Sequence, residues 1–202
     1  MTFKKCRIIG LTGQSGSGKS TVAGFLEQNG FKVINADLLV RKIYNSGSPC
    51  LKTIAAVFGD DIITENGTPD RKLLAKRAFS SKQNTELLGS IVHPFVTAEL
   101  FAEIKKAAES GATTIVYDAP QLFESNADVI CDEIISVTAE KSVRLERICW
   151  RDNISKENAL MRMNAQLDEE FFRENSDYII ENNSDISSLN IQLEGLIKQL
   201  NR

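Results

Sequence analysis

Several features are scarce in this 202-residue sequence, and each scarcity argues against a class of protein. The four cysteines form no CxxC pair and show no metal-ligand spacing, so we expect reduced thiols and neither a disulfide framework nor a zinc site. Aromatic residues make up 7% of the chain, they are scattered, and the net charge is -3. Surfaces that bind nucleic acid are basic and often interleaved with aromatic side chains, so we expect no nucleic-acid partner.

Long apolar runs are also missing from the sequence. No uninterrupted stretch reaches the ~18 apolar residues that a membrane span needs. The first residues, MTFKKCRIIGLTG, begin with a basic segment, but the apolar run after it is too short for a signal peptide. We therefore predict a cytoplasmic protein with no membrane partner. A monomer and a small homo-oligomer both remain open.

Five short runs rich in Ile and Val predict a β-sheet. They read RIIGLT, FKVINA, TTIVYDA, EIISVT and DYIIEN, and none of them alternates cleanly between apolar and polar residues. Strands that are apolar on both faces are typical of parallel sheets covered by helices. The helical patterns between these runs predict a doubly wound α/β fold with a five-stranded parallel sheet.

The spacing of the predicted strands indicates an insertion. One short helix, at about Ser20 to Asn29, joins the first two strands, whereas residues 37–111 separate the second strand from the third. Ser48-Pro49 and Thr68-Pro69 each place a capping residue before a proline and predict helix starts, and Pro94 predicts another. We therefore expect a helical insert over residues 37–111.

The rest of the chain predicts a small lid and a closing helix. Residues 150–175 are highly charged and helical in pattern, and the remaining core would comprise residues 1–36, 112–149 and 176–202. The closing helix is amphipathic, with these residues on one face: Leu189, Leu193, Leu196, Ile197 and Leu200.

The stretch GLTGQSGSGKSTVA, residues 10–23, contains the phosphate-binding motif G-x-x-x-x-G-K-[ST] between a predicted strand and a predicted helix. Its glycines allow backbone N–H groups to turn inward, and the helix N-terminus adds partial positive charge. Lys19 is expected to contact the β- and γ-phosphates, and the Ser20 hydroxyl is expected to bind Mg²⁺. The predicted nucleotide-binding residues of this loop are Gly13, Gly16, Ser17, Gly18, Lys19, Ser20 and Thr21.

A phosphate loop alone leaves three classes of function open: a small-molecule kinase, a switch or motor NTPase, and a transferase acting on nucleic acid. The Asn-Lys-x-Asp motif of GTPase switches and the Leu-Ser-Gly-Gly signature of ABC-type ATPases do not occur in the sequence. The helical insert and the charged segment favour the kinase. Such an enzyme needs one part to hold the acceptor and another to close over the phosphates and exclude water.

A series of motifs along nearly the whole chain resembles the dephospho-CoA kinase family. In order, they are INADLLVRKIY, GTPDRKLLAKRAF, IVHPFV, YDAPQLFES, RLERICWRD, ALMRMNAQ and DYIIENN. The resemblance implies a parallel five-stranded core, a helical CoA-binding subdomain and a lid. It also implies transfer of the γ-phosphoryl group of ATP to the ribose 3′-hydroxyl of dephospho-CoA, giving CoA and ADP. Another small-molecule kinase, such as a nucleoside monophosphate kinase, is the alternative, and an NTPase switch is the non-kinase alternative.

The resemblance implies roles at the acceptor. Asp37, just past the second strand, is expected to orient the acceptor hydroxyl and accept its proton, with a helix N-cap as the alternative role. Asp118, at the end of the third strand, is expected beside the acceptor and near Mg²⁺, through water, with a plain turn residue as the alternative. Arg71 and His93 are expected near the acceptor, although Arg71 could be a solvated helix residue and His93 a structural hydrogen-bonding group.

Arginines of the charged segment are expected at the ATP phosphates. Arg144, Arg147 and Arg151 are spaced to share a helix face, and Arg162 follows on the next helix. Arg147 and Arg151 are assigned to ATP, and Arg147 also to catalysis, while at least one of the arginines is expected to be a surface charge. Asn182 and Asn183, after the last strand, are expected to face the adenine or to form an ordinary turn, and Asn183 is the residue assigned to ATP. Four residues depart from the usual pattern of the family: Gln14, Asn35, Gln121 and Trp150.

Overall fold

A computed structural model describes residues 6–201 and contains the predicted five-stranded parallel sheet. The basic start at residues 1–5 lies outside the described residues. The strand order is β2-β3-β1-β4-β5, so the first strand of the chain lies at the centre of the sheet. The strands are β1 (Arg7–Gly13), β2 (Lys32–Asn35), β3 (Thr114–Asp118), β4 (Glu133–Thr138) and β5 (Tyr178–Glu181).

Nine α-helices lie in the described part of the chain. They are α1 (Lys19–Gln28), α2 (Ala36–Ile43), α3 (Pro49–Phe58), α4 (Arg71–Ala78), α5 (Lys82–Glu109), α6 (Lys141–Asp152), α7 (Lys156–Asn164), α8 (Glu169–Glu174) and α9 (Ile186–Leu200). Two short 3₁₀ helices are found at Asp60–Ile62 and Ala127–Ile130.

The chain forms two compact units. The first comprises Met1–Ile34 and Ala107–Arg202 and contains the sheet except for the last residue of β2, and the second is the continuous segment Asn35–Lys106. Helices α6, α7 and α8 belong to the first unit, and α6 begins at Lys141, so the lid boundary predicted at residue 150 falls inside a helix.

The core of the first unit lies between the sheet and helices α1 and α9. Ile9 and Leu11 of β1 are fully buried, because a central parallel strand has both faces covered. The amphipathic pattern of α9 is confirmed, since four of its leucines are buried and Ile197 packs against the same cluster. Those leucines are Leu189, Leu193, Leu196 and Leu200.

Helix starts in the second unit are set by side-chain oxygens more than by prolines. Ser48-Pro49 does begin a helix, with the Ser48 hydroxyl accepting from the Leu51 N–H at 3.1 Å. The start predicted at Thr68-Pro69 is wrong: α4 begins two residues after Pro69, where the Asp70 carboxylate accepts from two backbone N–H groups, each at 3.0 Å. A carboxylate that satisfies two otherwise unpaired amides is a strong N-cap.

The start predicted at Pro94 is also wrong. Pro94 lies inside α5, which begins at Lys82, and the hydroxyl of Ser81 accepts from the Asn84 N–H at 3.1 Å. A proline removes one helical hydrogen bond, and helix packing on both sides of it can offset that loss. Here Val92 and Phe95 pack into the buried cluster of the second unit.

By length and composition alone, α5 could cross a membrane, with a mean hydropathy of 1.4 over an 18-residue window. This is weak evidence, because core helices of water-soluble proteins meet the same criterion. The absence of a membrane partner therefore stays a prediction.

Candidate functional site: a phosphate loop and a cavity

The phosphate loop connects the end of β1 at Gly13 to the start of α1 at Lys19. Its glycines are required where other groups approach closely. Gly18 has φ 96°, and a Cβ at this position would lie 2.1 Å from Asn182 Nδ2. Gly16 has φ 81°, and its Cβ would lie 2.7 Å from the backbone oxygen of Arg144. Any side chain at either position would displace these neighbours.

Lys19 forms an ion pair with Asp118 beside this loop. The two side chains are only 13% and 3% exposed, so little water screens their interaction. The contact follows from the topology, because β1 pairs with β3 and Leu11 lies opposite Asp118 in the register. The sequence predicts separate roles for these two residues, and the structure adds that they are partners.

Asn182 supports the phosphate loop from the end of β5. Its side chain is buried and donates from Nδ2 to the Ser17 carbonyl at 2.8 Å. Arg147 joins the same cluster: its guanidinium donates to the carbonyls of Gly16 and Ser17 at 3.3 and 3.4 Å. Arg147 therefore lies beside the loop, where the sequence predicts an ATP-binding arginine, and whether it contacts ATP stays a prediction.

Asn183 is placed differently from its neighbour. Its side chain is exposed and accepts from the Glu140 N–H at 2.7 Å, so it braces the turn after β4. The structure thus places Asn182 directly against the loop, and the assignment of Asn183 to ATP stays a prediction.

The other arginines of α6 and α7 have partners away from the phosphate loop. Arg144 is 6% exposed and donates from Nε to the Ala139 carbonyl at 3.0 Å. Burial lowers the pKa of Arg144, because the low-dielectric surroundings disfavour its charged form. Arg151 and Arg162 both contact Asp152 and lower its carboxyl pKa to about 2, with the Arg151 hydrogen bond as the largest cause. These two cations already have a partner in the described structure.

Trp150 departs from the family pattern at a position where few neighbours limit the choice of side chain. Its side chain is 88% exposed on α6, so substitution there disturbs no core. Gln121 is likewise exposed, which accounts for a polar residue at that position.

A cavity of about 360 Å³ lies in the second unit and contains two of the predicted acceptor residues. Asp37 and Arg71 both line it, next to a wall of apolar and aromatic side chains. Burial raises the pKa of the Tyr44 phenol in this wall, so Tyr44 stays protonated at neutral pH. The remaining lining residues are Val40, Arg41, Pro69, Leu74, Ala75, Phe79 and Leu88.

Asp37 is not the N-cap of α2. The cap is Asn35, whose side-chain oxygen accepts from the Leu38 N–H at 3.1 Å, and Asp37 lies one residue inside the helix. Asn is as good an N-cap as Asp, which explains how Asn35 is tolerated where the family usually has Asp. The alternative reading of Asp37 as a cap is therefore wrong.

His93 does not line this cavity. It lies on α5 with an exposed side chain, and within residues 6–201 no hydrogen bond or ion pair of His93 is found. Its assignment to the acceptor stays a prediction with no support from the cavity.

Two glutamines that the sequence left without a role, Gln14 and Gln166, join the phosphate loop to the segment between α7 and α8. The Ser15 N–H donates to Gln166 Oε1 at 3.0 Å, and Gln14 Nε2 donates to the Leu167 carbonyl at 2.9 Å. The motif ALMRMNAQ ends on Gln166, but nothing in the local pattern indicates a partner 151 residues away.

Within the described chain, no group of three or more His, Cys, Asp or Glu side chains could hold a metal ion by itself. Mg²⁺ in phosphoryl-transfer sites needs only one or two protein ligands, with water and substrate phosphates completing the octahedron. The Ser20 hydroxyl at the start of α1 and the Asp118 carboxylate at the end of β3 are oxygen donors of the required kind. The donor set therefore fits Mg²⁺ bound together with a nucleotide.

A parallel sheet whose central strand ends in a glycine-rich phosphate loop, with a helix starting at the loop lysine, defines the P-loop class of α/β proteins. Comparison with known proteins narrows this class. The family model described as dephospho-CoA kinase matches residues 7–188. The chain belongs to the dephospho-CoA kinase family.

Individual relatives agree with this membership. A dephospho-CoA kinase from Syntrophotalea carbinolica is 39% identical over 195 residues, covering 96% of this chain and 92% of that protein. One from Arabidopsis thaliana is 36% identical over 196 residues, covering 97% and 84%. The solved dephospho-CoA kinase of Campylobacter jejuni superposes with a TM-score of 0.71 at 26% identity, covering 96% of both chains. A shikimate kinase from Acinetobacter baumannii, 16% identical with a TM-score of 0.54 and coverage of 98% and 94%, shares the fold alone.

Proposed function

We propose that this protein transfers the γ-phosphoryl group of ATP to the ribose 3′-hydroxyl of dephospho-CoA, giving CoA and ADP, the last step of CoA biosynthesis. The observation that carries the proposal is family membership over residues 7–188, combined with an intact phosphate loop in which Lys19 is already held beside Asp118.

The phosphate loop would bind the ATP phosphates through the Lys19 ammonium and through backbone N–H groups of the loop other than that of Ser15, which donates to Gln166. Lys19 would stabilise charge on the transferring group, and Arg147, already beside the loop, would add a second positive charge. Mg²⁺, when bound, would neutralise part of the charge on the ATP phosphates. Ser20 and Asp118 are the residues that would hold it, Asp118 through water.

The cavity lined by Asp37 and Arg71 is the proposed site of the acceptor. In the reaction, the 3′-oxygen of the ribose forms a bond to the γ-phosphorus, the bond from that phosphorus to the β–γ bridging oxygen breaks, and ADP leaves. Asp37 would orient the hydroxyl and accept its proton, while Arg71 would attract the anionic acceptor. The chain carries a net charge of -3, so such local cations are needed to bind a polyanion.

An assay of acceptor specificity tests this function. ADP release from Mg²⁺–ATP is expected with dephospho-CoA and to be far slower with AMP, CMP or shikimate. Equal rates with a nucleoside monophosphate would refute the proposed acceptor. Cytoplasmic location, the absence of nucleic-acid and membrane partners, and the oligomeric state remain predictions.

Substituting the proposed base tests the mechanism. Asp37→Asn should lower kcat by roughly 10²-fold or more while leaving the melting temperature nearly unchanged, because it removes proton acceptance from an exposed carboxylate. Asp60→Asn is the matched control, since this exposed carboxylate belongs to the same unit and does not line the cavity. A near-wild-type kcat for Asp37→Asn would assign proton transfer to another group.

A further inference from the structure

We infer that Gln166 is a further catalytic residue of this reaction, which donates a hydrogen bond from its side-chain amide nitrogen to the γ-phosphate of ATP. The inference rests on the proposed ATP site at the phosphate loop. It begins from the hydrogen bond between the Ser15 N–H and Gln166 Oε1, which measures 3.0 Å.

This hydrogen bond fixes which way the Gln166 amide faces. A backbone N–H can only donate, so the side-chain oxygen must lie toward Ser15 and the NH₂ group must lie on the other side of the amide plane. Among the described residues, 6–201, no hydrogen bond from Gln166 Nε2 is found. Two donors are therefore held within a few ångströms of the phosphate loop without an assigned acceptor. A phosphate oxygen bound on that loop is the acceptor that their position favours.

Hydrogen bonds on either side of Gln166 set its position. Gln166 lies between α7 and α8, and the Leu167 carbonyl next to it accepts from Gln14 Nε2 at 2.9 Å. Gln14 is only 5% exposed, so this contact is shielded from water. At the following residue, the Asp168 side chain caps α8 by accepting from the Phe171 N–H at 2.8 Å.

Helix α8 is in turn anchored to the body of the first unit. Phe172 is fully buried, and the rings of Phe123, Phe171 and Phe172 pack edge to face at centroid distances of 5.2–6.2 Å. Gln166 is therefore held from both sides, by the phosphate loop and by the connection to α8. Such preorganisation is what a donor to a developing phosphoryl charge requires.

Gln14, which departs from the usual pattern of the family, helps to hold this connection in place. A glycine, which is usual there in the family, has no side chain to hold Leu167. In this chain the Gln14 side chain holds the Leu167 carbonyl next to Gln166.

Comparison of two nucleotides tests the role of Gln166, because ADP lacks the γ-phosphate. Gln166→Glu keeps an oxygen for the Ser15 N–H but removes both amide donors, and Gln166→Met removes the donors without adding a charge that would itself repel phosphate. For both variants, the Kd for the non-hydrolysable β,γ-imido analogue of ATP should rise about tenfold or more, while the Kd for ADP stays within about twofold, both by titration calorimetry with Mg²⁺. The kcat with dephospho-CoA should fall by about 10²-fold, as expected when a donor to the transferring group is lost.

Gln199→Glu is the matched control, because it makes the same chemical change on an exposed residue of α9. Equal weakening of both nucleotides by Gln166→Glu would show that Gln166 only braces the loop and would overturn the inference, as would unchanged affinity for the ATP analogue. Failure of the wild-type protein to bind either nucleotide would instead overturn the proposed function.

A measurement on the wild-type protein avoids any effect of substitution on folding. The side-chain amide ¹⁵N resonance of Gln166 should shift when the ATP analogue binds and should shift much less with ADP. Equal shifts with the two nucleotides, or no shift with either, would contradict a contact to the γ-phosphate.

Discussion

Removal of the Asp118 carboxylate, which pairs with Lys19, should destabilise the protein even when no substrate is bound. The Lys19 and Asp118 side chains are 13% and 3% exposed. Breaking an ion pair at such a site by deleting one partner typically costs about 3–5 kcal/mol, because the other charge stays buried. For a domain of about 200 residues, each kcal/mol changes the melting temperature by roughly 2–4 °C. Asp118→Ala should therefore lower the melting temperature by roughly 6–20 °C.

A double-mutant cycle separates the cost of the unpaired charge from the cost of lost packing. Lys19→Met and Asp118→Leu should each lower the free energy of unfolding. The double variant leaves no unpaired charge at this pair, so its loss of free energy of unfolding should be smaller than the sum of the two single losses by about 2–3 kcal/mol. Thermal and urea unfolding followed by circular dichroism measure both quantities. The control is Glu86→Ala, which removes a partner of the exposed Lys82–Glu86 pair and should change stability by less than about 1 kcal/mol. Additive single effects, or an Asp118→Ala effect no larger than the control, would refute the reasoning.

Other residues give predictions of different kinds. Gly18→Ala would place a Cβ 2.1 Å from Asn182 Nδ2 at a φ of 96°. This variant should bind ATP about tenfold or more weakly in calorimetry, and a decrease in affinity of less than twofold would contradict the close approach. The Asp152 carboxyl has a pKa of about 2, below its ordinary 3.8, so its contribution to stability should be complete above about pH 4 and be lost as the pH falls through 2. Asp152→Asn should flatten acid unfolding curves between these pH values, and an unchanged curve would contradict this contribution. Burial raises the pKa of the Cys131 thiol to about 12, so at pH 8 iodoacetamide should label Cys131 in urea but not in the folded protein, as checked by mass spectrometry.

The sheet and the phosphate loop could be predicted from the sequence because their signals are local. All five strands coincide with the apolar runs, since a strand buried on both faces has few polar residues wherever it lies in the chain. The loop motif is similarly contained within residues 13–20, flanked by the strand and helix that it requires.

The helix starts in the insert were harder to predict for a physical reason. Proline is permitted in the first turn of a helix but does not create the start, whereas a side-chain oxygen that accepts from the first amides does. Asp70 and Ser81 supply those oxygens here, one residue after Pro69 and well before Pro94.

The contacts that complete the site could not be predicted because they join distant segments. Lys19 meets Asp118 across 99 residues, and Ser15 meets Gln166 across 151. Such pairs depend on which strands become neighbours, and β1 lies between β3 and β4 with no local pattern that records this order. The cavity in the second unit shows the opposite case, since Asp37 and Arg71 come from the same continuous unit and were both singled out from the sequence.

The central position of β1 has a consequence for the synthesis of the chain on the ribosome. Leu11 is among the first residues made, but its partners Asp118 and Ile135 are added only after the whole segment Asn35–Lys106. At about 5–20 residues per second, this apolar strand waits roughly 5–20 s without its neighbours. Asn35–Lys106 is continuous and has a buried cluster of its own, so it can fold while β1 waits. Asn182, which supports the Ser17 carbonyl, emerges later still, so the cavity lined by Asp37 and Arg71 can form before the phosphate loop is complete.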